Sequence, residues 1–168
     1  PNLGQAPPPV QFLARSGGLT AYFEPTAVDV VIARKHYDSQ PAEPVNLHYR
    51  MELEGSLRPR FAAQSEQPGV SAYFRGRDPS AWIPRVRQFA SLTAKGVYQG
   101  IDVHYYDTGG QLEFDFLLAP RADPGRIRMR FRDVESLSLT TAGDLQIETA
   151  TGTVTQRAPQ AYQTIRER

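Results

Sequence analysis

The chain contains no cysteine, which excludes a disulfide framework, a thiolate zinc site and a cysteine nucleophile outright. Lysine is nearly as scarce. Lys35 and Lys95 stand alone, and arginine supplies the rest of the positive charge. That bias reads as codon usage before function. Neither sign of charge is in excess: formal net charge is +1, so nothing in the balance points to nucleic acid or an anionic membrane. No apolar run approaches the ~20 residues of a membrane-spanning helix, and no membrane insertion is expected. No signal peptide is visible. The chain opens at Pro1-Asn2 without a Met, and is expected to be a fragment or processed form whose targeting segment lies outside it.

What is present is ordinary globular material. With 168 residues, 40% hydrophobic and 22% charged, the chain can bury one real core. Turn signals recur at short intervals with period-2 apolar patterns between them, which predicts an all-β, antiparallel, sandwich-like module of many short strands. The expected strands are Val10–Ala14, Leu19–Phe23, Val28–Ala33, Asn46–Glu54, Val70–Phe74, Val86–Leu92, Ile101–Asp107 and Leu112–Leu118. Arg126–Arg132, Ser136–Thr140, Asp144–Thr149, Val154–Arg157 and Ala161–Ile165 follow. Asp38–Pro44 and Ala63–Gly69 read as loops, and residues 63–69 are the place for a subdomain boundary if the single domain over 1–168 divides. One helical turn is expected near 79–83, with Asp78 as cap, Pro79 at the first helical position and Pro84 as stop.

One constellation can be derived from spacing. Gly109-Gly110 forms a two-residue hairpin turn. Thr108 then faces Gln111, Tyr106 faces Glu113, His104 faces Asp115 and Asp102 faces Leu117. Side chains alternate along each strand, so one face carries Asp102, His104, Tyr106, Glu113 and Asp115. The other carries Ile101, Val103, Tyr105, Leu112, Phe114, Phe116 and Leu118, and is core. The strand Arg126–Arg132 alternates strictly, with Ile127, Met129 and Phe131 inward and Arg126, Arg128, Arg130 and Arg132 outward. A six-residue connector suggests an antiparallel neighbour, which would set the arginine row beside Asp102, Glu113 and Asp115 as an ion-paired face.

That solvated face is the plain reading, and two sharper ones compete with it. Glu113 and Asp115 have Cα atoms about 7 Å apart along the strand, within the roughly 5–10 Å range of glycoside-cleaving carboxylate pairs. Acid–base work also needs one pKa raised, and adjacent arginines act in the opposite direction. A calcium site from Asp102, Glu113 and Asp115 would need about six to eight oxygens, which a flat strand face seldom converges. His36, His48 and His104 show no metal-ligand spacing, and no Ser sits in a nucleophile elbow. No catalytic residue, metal or cofactor is therefore expected. Trp82, Tyr73, Tyr98, Tyr105 and Tyr106 are the aromatics that could stack on sugars; Tyr105 falls on the core face, and Trp82, Tyr98 and Tyr106 are the leading candidate sugar-stacking residues.

The order of short motifs carries a resemblance. Tyr73-Phe74-Arg75-Gly76-Arg77-Asp78-Pro79 with Trp82 comes first, then Gly96-Val97-Tyr98-Gln99-Gly100-Ile101-Asp102-Val103 and Tyr105-Tyr106. Leu112-Glu113-Phe114-Asp115-Phe116, Ala119-Pro120, Ala122-Asp123-Pro124, Ile127-Arg128, Gly143-Asp144-Leu145 and Pro159-Gln160-Ala161-Tyr162-Gln163 follow. Asn2-Leu3-Gly4-Gln5 and Phe12-Leu13-Ala14-Arg15 also fit. Together they resemble the uncharacterised domain found ahead of SBBP (seven-bladed β-propeller) repeats in large secreted bacterial proteins. The family usually has proline-glycine where this chain has Gln99-Gly100, and often an aliphatic residue in place of His104. The resemblance implies an exported parent, extracellular or at the cell surface, with propeller-like repeats downstream as intramolecular partners. It implies no enzymatic activity. The expectation is a non-catalytic structural or interaction module, with a carbohydrate-binding module as the alternative and a glycoside hydrolase-like carboxylate site behind it. A surface glycan or protein is the expected external partner.

Overall fold

The computed structural model describes residues 1–33 and 46–163. The expected loop Asp38–Pro44 and His36 lie outside the described residues. Twelve strands and two single 3-10 turns occur among those described. The chain is all-β, in three antiparallel sheets.

The first sheet begins with a meander. β1 (Phe12–Ser16), β2 (Leu19–Phe23), β3 (Ala27–Ala33) and β4 (Asn46–Leu53) pair in succession, and β9 (Met129–Arg132) closes the far edge against β4. Gly17 and Gly18 have φ of 57° and 87°, the left-handed pair that a two-residue hairpin requires. The second sheet has the order β5-β6-β7-β8: β5 (Arg60–Tyr73), β6 (Ile83–Tyr98), β7 (Ile101–Thr108) and β8 (Gln111–Leu118). A small third sheet holds β10 (Ser136–Leu139), β11 (Leu145–Thr149) and β12 (Gly152–Gln156). It touches the first sheet near β4, where the Thr151 hydroxyl donates to the Asn46 carbonyl at 3.1 Å.

The inner faces of the two larger sheets share one hydrophobic cluster. Ala21, Phe23, Val28, Val30, Met51 and Leu53 come from the first sheet, and Leu92, Ala94, Val97, Tyr98, Ile101, Val103 and Tyr105 from the second. Phe23 and Tyr105 meet edge to face with centroids 4.9 Å apart. Full burial of a side chain such as Phe23 or Ile101 contributes about 1.5–3 kcal/mol. The sandwich is therefore held by residues from both halves of the sequence.

Three expectations need correction. Ala63–Gly69 is not a loop; it lies inside β5. Its small and polar residues and Pro68-Gly69 argue against a strand, yet β5 is an edge strand, where proline is tolerated. A register shift between Glu66 and Val70 accommodates the Pro-Gly pair. Residues 161–163 are not strand, and Tyr162 is 80% exposed; the rest of the expected strand Ala161–Ile165 is outside the described residues. The strand Arg126–Arg132 begins only at Met129. Its first residue, Arg126, closes a 3-10 turn, Pro124–Arg126, capped by the Asp123 carboxylate on the Gly125 N–H. The expected turn at Pro79–Ala81 has the same construction, with Asp78 accepting from the Ser80 N–H.

Candidate functional site

The hairpin of β7 and β8 has the register that its Gly109-Gly110 turn dictates: Thr108 opposite Gln111, Tyr106 opposite Glu113, His104 opposite Asp115 and Asp102 opposite Leu117. Ile101, Val103 and Tyr105 are buried on the core side, whereas the outer members are half-buried. Leu118, assigned to the core side, is exposed at the end of β8.

The outer face is not an acidic cluster with one purpose. Asp102 is a backbone cap. β6 carries extra residues between its pairs Ala94–Val103 and Tyr98–Ile101, and at this bulge Gly96 has φ of 72°. The Asp102 carboxylate accepts the Gly96 N–H at 2.7 Å, satisfying a donor that the bulge removes from the ladder. His104 is held by Thr93, with Oγ1 2.9 Å from Nδ1, and its ring stacks on Tyr106 at 5.5 Å. The Tyr106 hydroxyl donates to Asp115 at 3.3 Å. Its pKa is pushed up to about 12, first by desolvation and then by the Asp115 charge. Among the described residues no group of three or more His, Cys, Asp or Glu converges as a metal site.

The arginine row does not lie beside this face. β9 pairs with β4 in the other sheet. The connector after β8 turns at Ala119–Ala122, packs on Gly100 and crosses the end of the sandwich. Alternation had fixed which way the arginines point but not which strand they join. Arg130 pairs with Glu54 and Arg132 with Glu52. Arg126 sits in the 3-10 turn, and the Arg128 backbone joins Tyr98 and Glu54. A network missed in the sequence continues on the outer face of β3 and β4. Arg50 pairs with Glu24 at 2.6 Å, with Asp29, and with Glu52 at 3.4 Å. Hydrogen bonding from Arg132 is the leading cause that holds the Glu52 carboxyl below its ordinary value. The signal was available in His48, Arg50 and Glu52 alternating with Leu47, Tyr49 and Met51. His48 itself lies 3.5 Å from Asp29.

The candidate sugar-stacking residues do not form one platform. Tyr98 is only 5% exposed; its hydroxyl sits 3.1 Å from both the Glu54 and Arg128 carbonyls, so it is a corner bolt and not a ligand contact. Tyr106 belongs to the face just described. Trp82 lies at the end of a separate element that the strand pattern did not reveal.

That element is a ribbon. β6 pairs with β7 only from Ser91 onward, while its pairing with β5 continues to Ile83. The stretch from Ile83 to Ala90 therefore has β5 as its strand partner and no second one among the described residues. Phe74 and Trp82 meet edge to face at its tip, at 5.3 Å and 77°, and are 62% and 38% exposed. The tip end is tied to the N-terminal segment and to β1. The Arg75 guanidinium donates to the Gln5 carbonyl at 3.3 Å, and Arg15 lies over the Tyr73 ring at 5.5 Å. Between the ribbon and β1 runs an open groove of about 440 Å³, lined by Phe12, Leu19, Val86, Phe89, Leu92 and Leu112 among others. Where β7 turns away, Gly17 packs directly against Gly110.

A family model matches residues 1–168 with the description Domain of unknown function (DUF7948). The chain belongs to that family. No curated protein matches it, and no solved structure matches it. Membership in DUF7948 thus covers the whole sandwich and the ribbon together. No helix among the described residues is long and apolar enough to cross a membrane.

Proposed function

We propose that this chain is a non-catalytic interaction module of a larger exported bacterial protein, and that it docks through the β5–β6 ribbon. The observation that carries the reading is the ribbon: a strand pair that outruns its sheet, tied down at Tyr73 and Arg75 and ending in the exposed pair Phe74 and Trp82. Exposed aromatics on a rigid support are what interfaces use as anchors. The resemblance to domains ahead of SBBP repeats supplies the context: an extracellular or cell-surface location, with propeller-like repeats of the same polypeptide as neighbours.

The carboxylates give the hydrolase reading little support. Asp102 caps a bulge and Asp115 holds Tyr106, on an open sheet face and not in a cleft. A carbohydrate-binding reading keeps Trp82, but Phe74 stands at 77° to it, so the two rings cannot lie flat on one sugar.

A photo-crosslinking phenylalanine analogue at position 74, in the organism that exports the protein, tests the reading. The expected result is a discrete adduct from position 74 and none from the same probe at Ser138, an exposed residue of the third sheet. Adducts from both positions alike, or from neither, would contradict docking through the ribbon.

A further inference from the structure

The register of β6 has a consequence for the groove. The two-residue turns at Gln99-Gly100 and Gly109-Gly110 make Tyr98–Ile101 and Thr108–Gln111 hydrogen-bonded closing pairs. Such pairs alternate along an antiparallel ladder. Tyr105–Leu92 and Val103–Ala94 are then the pairs that bond β7 to β6. The register shift between Glu66–Phe89 and Val70–Arg87 puts its two extra residues on β5, so β6 keeps its alternation from Ala94 to Val86, and the N–H and C=O groups of Ala90, Gln88 and Val86 point the same way as those of Leu92. β7 has left by then. Ser91, Phe89 and Arg87 bond to β5 instead. All three open residues line the groove. The ribbon presents three residues' worth of unspent strand edge over an apolar floor.

The charge beside that edge is mainly positive, although Asp107 also lines the groove. From residue 66 to 87 the ribbon carries Arg75, Arg77, Arg85 and Arg87 against Glu66 and Asp78. Glu66 is already paired with Arg87, and Asp78 accepts from Ser80. Arg77 and Arg85 are exposed and outside the ion pairs formed by the described residues.

From these two observations we infer that the ribbon binds an acidic polypeptide segment in extended form, added as a strand along the Val86–Ala90 edge. The inference rests on the reading of the ribbon as the docking element and names its partner's chemistry. A strand edge recognises a peptide backbone, because only a β-strand repeats donors and acceptors at that spacing. The exposed Arg85, outside the ion pairs of the described residues, stands next to this edge in β6 and favours Glu and Asp in the added strand. Residues of that strand on the inner side lie over Val86 and Leu92, which favours Val, Ile or Leu.

The test is an NMR titration of the isotope-labelled chain with a blocked peptide of alternating Glu and Val. Chemical-shift changes are expected at the amides of Val86, Gln88 and Ala90, and none with the matching Lys–Val peptide. Gln88→Pro removes one edge donor together with the Gln88 side-chain bond to Ser71 of β5; it is expected to weaken binding about tenfold relative to Gln88→Ala, which loses only the side-chain bond. N-methylation of alternate residues of the peptide removes donors from the other partner, so it carries the same test if that variant does not fold. Absence of shifts at those three amides at millimolar Glu–Val peptide overturns the inference, as does equal binding of the Lys–Val or N-methylated peptide. If the Glu–Val peptide fails while position 74 still crosslinks, strand addition falls and docking through the ribbon stands.

Discussion

At the residue scale, several side chains have one clear task each. Gly17 is the strictest. Its φ is 57°, and an added Cβ would sit 2.5 Å from the Gly110 carbonyl oxygen. Gly17→Ala is expected to cost about 1–3 kcal/mol through left-handed strain and the clash between the two hairpin turns, read as a lower urea midpoint. An unchanged midpoint would mean that the turns do not touch. Asp102 makes the opposite kind of contribution, by filling a need. Asp102→Ala leaves the Gly96 N–H without its carboxylate and should destabilise by about 1–2 kcal/mol. Asp102→Asn keeps an acceptor and should recover part of that loss, whereas a purely electrostatic role would make the two variants equal.

At the element scale, the edge formed by β4 and β9 is where charge contributes to stability. The Glu52 carboxyl is held below its ordinary value of 4.5, first by hydrogen bonding from Arg132. A lowered folded pKa means that its stabilisation is complete above the unfolded value and fades as pH falls through the folded one. Stability should therefore drop on acidification below about pH 4.5, and Arg132→Ala should flatten that part of the profile. The change is about 0.5 kcal/mol, because Arg132 is half exposed. Equal acid slopes for the two proteins would contradict the pairing. The same strands show what the sequence does and does not carry. Alternation in Arg126–Arg132 told that Ile127 and Phe131 face the core, since period 2 is a local property, but Met129, expected inward with them, is exposed at the start of the edge strand β9. Alternation could not tell whether β9 joins β8 or β4, since that depends on how residues 119–128 cross the sandwich end. The hairpin of β7 and β8 was fully legible because Gly109-Gly110 sets its register within a few residues. The ribbon was not: Gln64–Gly69 has poor strand propensity and becomes strand only because β6 lies beside it. Asp123-Pro124 repeats the Asp78-Pro79 signal and would have revealed the second turn.

At the scale of the whole molecule, one shared core and one ribbon that outruns its sheet divide the labour. Ile101 is fully buried where the two large sheets meet. Ile101→Ala should cost about 2–5 kcal/mol and lower the stability of both sheets in a single transition, observable as coincident unfolding by circular dichroism and by Tyr fluorescence. Separate transitions would mean that the halves of the sequence do not share a core. The ribbon, by contrast, makes few core contacts. Phe74→Ser and Trp82→Ser should leave the urea midpoint within about 0.5 kcal/mol of the original while abolishing association.

The central claim is that the ribbon is folded yet has one edge unspent. Residue-resolved amide hydrogen exchange of the isolated chain tests it most directly. The expected pattern alternates: slow exchange at Arg87, Phe89 and Ser91, which bond to β5, and fast exchange at Val86, Gln88 and Ala90, which face the groove. Uniform protection from 86 to 91 would show the edge already covered, uniform fast exchange would show no ribbon at all, and either result would contradict the account.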